Sequence, residues 1–545
     1  MRRKWLCLPT LKQLWMGLPF FILLLKGFLF PLPLLDFWWH LKMGKVILDT
    51  GSIPRVDQFS FTAAGKIFIV QNWLAEILFY LTYKAGGYTL LIFSNALFLI
   101  CVLIPIFDLC RKASSRLWAG VFSACLVAVC IPCNMRPQVF SFIMFAIYYW
   151  VVLSYCSGKR DWILSLPLLM VLWVNLHGAF VLGLGLLALI LCGESICSLL
   201  NDSHQDVIKG KQLAKLAVVF ALCMIATLAN PEKFGVYSYI LTVMNDPSSR
   251  HFVMEWQPPV ISSLQGIVQF YIPFFVTALV LMLSDRRPRL TEMVLFSGFS
   301  ALGLTATRNA VWFLLVSAPI LARYLPSVHW PSVLGQPRQG VQSKPTLPAQ
   351  NTHREREPAL LNFAIAGLAL VIATVQSPWL QLRFHPGSLL DSKTPVGAMD
   401  YIERHSLAGN IFHPQAYGDY LIWRLWPKQR SFFDGRVHLF GESLVQVYQQ
   451  IYNDTHGEEL LEHYGIRYLL LSKVEKEPES KRIIDNARQS RSWKLLYEDG
   501  ISILFEKTSP LISSNKLADW AKSDAAKRRL NWCEFGLGKH ASSLQ

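Results

Sequence analysis

Charge is what this chain has least of. Only 16% of its 545 residues are Asp, Glu, Lys or Arg, against about 25% in a soluble globular domain. Hydrophobic residues make up 53% and the mean hydropathy is +0.34, which leaves a polytopic membrane protein. Nucleotide-binding motifs are absent, so no ATP-driven step is suggested, and no internal repeat is visible. The net charge of +16 comes without a basic stripe of interleaved aromatics or a nucleic-acid motif, so nucleic acid is excluded as a partner. Of the eleven cysteines, all but Cys533 lie in or beside apolar segments or the N-terminal anchor, which excludes an extracytoplasmic disulfide framework. Cys130-Ile131-Pro132-Cys133 matches C-x-x-C but closes an apolar helix instead of opening one, so it reads as buried thiols and not as a redox pair.

What is present is a series of apolar runs long enough to cross about 30 Å of hydrocarbon. There are about eleven, near 12–35, 85–108, 117–133, 139–157, 162–175, 178–200, 214–230, 267–284, 290–304, 310–325 and 359–376. The first follows Met1-Arg2-Arg3-Lys4 and lacks a small-residue cleavage site before Asp36, so it reads as a retained anchor with a cytoplasmic N-terminus. Alternation from there puts the basic loops, Arg111-Lys112 to Arg116, Lys159-Arg160, Lys209 to Lys215, Arg286 to Arg289 and Arg323 to Arg356, all on the cytoplasmic side, as the positive-inside rule requires. The other loops then emerge together on the outer face.

The expected layout is a membrane domain over 1–376 with a large first outer loop at 36–84, and a flexible cytoplasmic connector over 326–358. A soluble extracytoplasmic α/β domain over 377–510 and a tail over 511–545 follow. In the first outer loop, Trp38, Trp39, Leu41, Met43, Ile47 and Leu48 interleave with His40, Lys42 and Lys45, a pattern that suits a short helix lying at headgroup level. Asn72 to Tyr83 reads as a second interfacial or half-inserted helix. In the soluble domain the pattern predicts helices near Val396 to Glu403, Leu444 to Tyr452 and Ser480 to Arg488. It also predicts strands at Asn410 to His413 and Ile466 to Leu471, and an edge pair, Trp493 to Tyr497 with Ile501 to Phe505.

Chemistry is expected of the outer loops. Asp36 and Asp57 are carboxylates at a membrane boundary, where one serves as a general base or two together hold a divalent cation; the alternative is that Asp36 caps a helix and Asp57 starts a turn. His40 shares a helix face with Asp36. Arg136 and Arg308 end apolar helices, where an Arg wants an anion such as phosphate. Lys26 lies deep in the first span and has no role in this reading. Asn175-Leu176-His177-Gly178 and Asn230-Pro231 form tight polar turns, and Tyr417-Gly418-Asp419 and Phe433-Asp434-Gly435-Arg436 read as loops at strand ends.

Together, Asp36-x-x-Trp39-His40-Leu41, Gly51-x-Ile53-Pro54-x-x-Asp57, Asn72-Trp73-Leu74-x-Glu76, Trp173-x-Asn175-Leu176-His177-Gly178, Glu255-Trp256, Arg308-Asn309 and Asp434-Gly435-Arg436 resemble uncharacterised prokaryotic polytopic proteins related to the GT-C glycosyltransferases. Those enzymes use polyprenyl-phosphate-linked sugars. The resemblance implies a GT-C-like α-helical membrane fold with a C-terminal soluble α/β domain, and an acid from the first outer loop as base. Asp36 corresponds to that acid; the residues themselves add Asp57 as a second candidate catalytic group, with Mg²⁺ or Mn²⁺ on the pair as an optional cation. His40, Arg136, His177, Glu255 and Arg308 would bind substrate, with Glu76, Asn175, Asp434 and Arg436 around the site or on the acceptor. The chain departs from the family in having no adjacent Asp-Glu pair like that of protein O-mannosyltransferases and no Trp-Trp-Asp motif like that of oligosaccharyltransferases. The expected activity is an inverting transfer of a sugar from a polyprenyl-phosphate donor to a cell-envelope acceptor at the outer face of a bacterial inner membrane. The alternatives are a transporter or flippase of lipid-linked glycan and a non-enzymatic scaffold.

Overall fold

The computed structural model describes residues 9–200, 208–328, 359–384, 389–453, 457–474 and 478–508. Apart from 326–328, the expected connector lies outside these residues, as does the tail. Each of the eleven apolar segments forms a helix. Six helices are long and apolar enough to cross a membrane: Leu11–Leu29, Trp73–Ala113, Gln138–Cys156, Phe180–Leu199, Leu264–Leu283 and Thr307–Ser327. A seventh crossing is available if Leu360–Val375 and Pro378–Phe384, bent by 55°, count as one. Leu117–Cys130, Ile163–Leu176 and Leu290–Thr305 are shorter apolar helices, and Lys211–Ala226 completes the set.

Trp73–Ala113 holds 41 residues, about 60 Å of helix and twice a bilayer core. It breaks at Gly86 and Gly87, where Gly87 takes φ 61, ψ −155, a region that essentially only glycine visits.

The chain divides into two compact units, one drawn from 1–32, 81–236 and 254–389, the other from 33–80, 237–253 and 390–545. The first is the helical one. Its interior is aromatic, with Trp312 between Phe142 and Phe145 at ring distances of 5.2 Å, while Leu360, Leu368 and Leu370 stay exposed on one helix, as a lipid-facing surface requires. The nine cysteines of the described residues are free thiols, Cys130 and Cys133 among them, both buried.

The second unit is built on a four-stranded sheet of β1 (Asn410–Phe412), β2 (Ile466–Ser472), β3 (Trp493–Glu498) and β4 (Ser502–Lys507) in the order β1-β2-β4-β3. β1 runs parallel to β2, and β4 pairs antiparallel with both β2 and β3. Only β3 of the expected edge pair is therefore at the edge. Asp499 makes the hairpin turn, its Oδ1 accepting from the N–H groups of Ile501 (2.8 Å) and Ser502 (2.7 Å). Helices Val396–Arg404, Val437–Asn453 and Pro478–Gln489 stand where the pattern placed them. Gln415–Leu425 is a helix instead of a loop at a strand end.

The first-loop helix, Phe37–Thr50, is buried in protein instead of lying open on a surface. Trp38 is 0% and Trp39 7% exposed, and the Trp38 ring stands edge-on to Tyr420 at 5.0 Å. Trp39, Met43 and Ile47 join Phe59, Phe68, Phe412 and Phe433 in one core. The aromatic and lysine pattern that suggests an interface instead serves a helix wrapped by protein, and Lys42 gives its amine to the Trp426 carbonyl. Burial, followed by the charge of Lys45, pushes the Lys42 amine down to about 8.

Gly44 lets this helix approach the helix that begins at Trp73. A Cβ there would fall 2.0 Å from the Glu76 carbonyl oxygen and 2.5 Å from its carbon, backbone that cannot swing aside. Gly44→Ala is therefore expected to cost about 1 to 3 kcal/mol, read as a lower unfolding temperature and less folded protein; wild-type stability would show that the two helices can part without cost.

Candidate active site

The helical unit holds a cavity of about 570 Å³. Lys26, Arg136 and Arg308 line it together with Glu255, and the amides of Gln138 and Gln265 add neutral donors and acceptors. Lys26 Nζ donates to the carbonyls of Val129 (2.6 Å) and Ile131 (2.5 Å) at the end of helix Leu117–Cys130, where the helix dipole is negative. Arg136 Nη1 reaches both oxygens of Glu255 at 2.7 and 2.6 Å, which ties two segments 119 residues apart. Arg308 sits in the turn Thr307–Asn309 with its guanidinium over the Trp256 ring at 4.3 Å. Three cations against one carboxylate leave this lining two charges positive. In a surround of low dielectric it favours an anion.

Asn175 and His177 are not among the lining residues. Asn175 Nδ2 donates to the Val171 and Ala229 carbonyls, both at 2.8 Å, and so joins two helix ends. His177 Nδ1 accepts from the Ala179 N–H at 3.2 Å and lies 2.9 Å from the Ser141 hydroxyl, which takes the Trp173 indole N–H at 2.7 Å. Because a backbone N–H only donates, Nδ1 is the acceptor and the proton of the neutral ring sits on Nε2.

The second unit gathers the acids. Asp57 does start a turn, its oxygens accepting from the N–H groups of Phe59 and Ser60, both at 3.1 Å, and from the Ser60 hydroxyl. It also pairs with Arg436 Nη1 at 2.5 Å, and Asp434 takes Nη2 of the same guanidinium at 2.7 Å and Nε at 2.8 Å. All three side chains are 0% exposed. A carboxylate so engaged is neither a base nor a cation ligand without first leaving Arg436, so Asp36 and Asp57 do not fit a shared Mg²⁺ or Mn²⁺. Among the described residues no group of three or more His, Cys, Asp or Glu is placed to hold a metal ion. His40 Nδ1 bonds Glu76 Oε1 at 2.7 Å, both buried, which makes that pair a brace between two helices.

Asp36 is different. It occupies the N-cap of Phe37–Thr50 but makes no capping bond from its side chain, and it is half-buried. Gly435 separates it from Asp419: a Cβ at Gly435 would lie 3.0 Å from both Asp36 Cβ and Asp419 Oδ2. Asp419 Oδ1 accepts from the Gly435 N–H at 2.8 Å. Burial pushes the Asp419 carboxyl well above the usual carboxylate range, and the neighbouring Asp434 and Asp36 add to the rise. Burial also works against Asp434, but Arg436 and Ser431 outweigh it and hold that carboxyl below the usual range. Within the cluster, Asp419 and Asp434 are thus shifted in opposite directions. The sequence offered Asp419 only within Tyr417-Gly418-Asp419, read as a loop at a strand end; in the structure it is an acid on the helix Gln415–Leu425, beside Tyr420-Leu421-Ile422.

No family model and no curated protein matches the sequence. The chain aligns at low identity with several solved structures. ArnT from Cupriavidus metallidurans bound to undecaprenyl phosphate aligns at 13% identity over 92% of this chain and 98% of its own, with a TM-score of 0.45. The archaeal oligosaccharyltransferase AglB from Archaeoglobus fulgidus, in complex with an inhibitory peptide and a dolichol-phosphate, aligns at 11% identity over 80% of this chain with a TM-score of 0.47. The arabinofuranosyltransferase AftD from Mycobacteria aligns at 10% identity over 92% of this chain, TM-score 0.47. The chain spans 65% of the length of AglB and 42% of AftD.

Proposed function

We propose that this chain is an inverting membrane glycosyltransferase that takes a sugar from a polyprenyl-phosphate donor and gives it to a hydroxyl of a cell-envelope acceptor. The observation that carries the reading is the cavity at the ends of apolar helices whose lining is two charges positive, around Lys26, Arg136 and Arg308. In this reading the acceptor hydroxyl attacks C1 of the sugar and passes its proton to Asp36. The C1–O bond to phosphate breaks, and its electron pair stays on the phosphate oxygen. The phosphodiester becomes a monoester with one more negative charge, so the leaving group needs cations and no general acid. The reading includes eleven crossings, a cytoplasmic N-terminus, a bacterial inner membrane and an extracytoplasmic domain over 377–510.

Polyprenyl phosphate without a sugar is the probe. Lys26→Met and Arg308→Ala, measured in detergent, are each expected to weaken its binding about tenfold or more, the worth of a hydrogen bond to a charged group. In cells, loss of the protein is expected to remove one sugar from envelope glycans while the polyprenyl-phosphate sugar accumulates. Wild-type affinity in both variants would sink the reading.

A further inference from the structure

The helical unit has a second polar cavity, at the other end of helix Gln138–Cys156. Gln138 lines the first cavity and Cys156 the second, and 19 residues separate them by about 28 Å of helix. The second measures about 80 Å³, room for more than one water. Lys112, Lys159, Arg289 and Arg323 line it against Glu194 and Glu292.

Both acids already have inward partners. Glu194, 1% exposed, takes Arg289 at 3.2 Å, the Thr291 hydroxyl at 2.8 Å and the Ile208 N–H at 3.2 Å. Glu292 takes Arg323 Nε at 3.2 Å, the Tyr324 hydroxyl at 2.5 Å and the Arg289 N–H at 3.2 Å. Four cations against two acids leave the lining two charges positive. Lys112 and Lys159 reach solvent; Lys112 pairs with Asp108 beyond the lining.

The surroundings indicate a lipid. Leu109, Leu153, Leu295 and Ile320 are apolar members of the remaining wall, alongside Tyr149, Ser154, Ser157 and Thr291 among others. Nearby, Arg160 lies over the Trp162 ring at 4.9 Å, and Trp162 is 51% exposed. Lys112 and Arg160 both face the Trp150 ring, at 5.8 and 5.7 Å. Exposed Trp beside Arg and Lys at the end of apolar helices is the composition of a headgroup layer, and basic pockets between helices at that depth take anionic headgroups.

We propose that this cavity binds the phosphodiester headgroup of an anionic phospholipid, with Lys112, Lys159 and Arg323 as its donors. The test is thermal unfolding of delipidated full-length protein with added phosphatidylglycerol, with phosphatidylcholine at the same total lipid, or with inorganic phosphate. Phosphatidylglycerol alone is expected to raise the unfolding temperature. In the double variant Lys112→Gln, Lys159→Gln its apparent affinity is expected to fall about thirtyfold. Both side chains are at the rim, so the variant's unfolding temperature without lipid is the control for folding. An equal rise with phosphatidylcholine, an equal rise with inorganic phosphate, or an unchanged response in a folded double variant overturns the proposal. Native mass spectrometry supplies the second measurement: the double variant is expected to retain fewer phosphatidylglycerol molecules than wild type, and equal retention counts against the site.

Discussion

Asp36→Asn is expected to lower turnover by about 10² to 10⁴, the range for removal of a general base, with polyprenyl-phosphate binding and unfolding temperature close to wild type. The substitution keeps the volume and removes only the basic oxygen. No capping bond is lost, because the Asp36 side chain makes none. The contrasting variant, Asp57→Asn, deprives Arg436 of one of its two carboxylates and is expected to show itself first in stability. The measurement is glycan analysis of a strain lacking the protein, complemented with each variant, beside unfolding temperatures of the same proteins. If Asp36→Asn restores the glycan as wild type does, the acid is structural and the transfer reading loses its base.

Pattern alone reached the elements and stopped short of the partners. Each apolar run is a helix because burying or solvating its backbone leaves little other choice, and β2, β3 and β4 are legible as short β-branched and aromatic runs closed by Asp499-Gly500. The helix from Phe37 to Thr50 was legible as a helix and misleading in its surroundings. Trp38 meets Tyr420 and Lys42 meets Trp426, contacts across more than 380 residues that no local window contains. Asp36 and Asp57 look alike in sequence for the same reason: what distinguishes them is Arg436, 379 residues beyond Asp57. Lys26 was visible as an oddity in a span, and only the fold supplies the Val129 and Ile131 carbonyls and the neighbouring arginines that give it a use.

Arg436→Gln is expected to cost about 3 to 5 kcal/mol, the loss that follows when one partner of a fully buried ion pair is removed. Asp57 and Asp434 would then share a site with no exposure and no counter-charge. The damage would spread, because Asp57 also holds the N–H groups of Phe59 and Ser60, and this stretch is stitched to Ser431 by backbone bonds, Phe61 N to Ser431 O at 3.1 Å and Ser431 N to Phe59 O at 2.9 Å. The pH dependence has a definite sign. In wild type Asp434 is held below the usual carboxylate range, so its contribution is present above that range and lost as pH falls through the lowered folded value. In Arg436→Gln, Asp434 loses the guanidinium that offsets its burial, its folded pKa rises, and the deficit should shrink as the pH falls. Combining Arg436→Met with Asp57→Asn and Asp434→Asn removes every charge of the triad and is expected to recover much of the loss, since a neutral replacement costs less than a broken pair. Unfolding temperatures of the single and triple variants at pH 5 and pH 8 decide the matter; a single variant as stable as wild type at both would show that the triad is not what holds the first loop to the sheet.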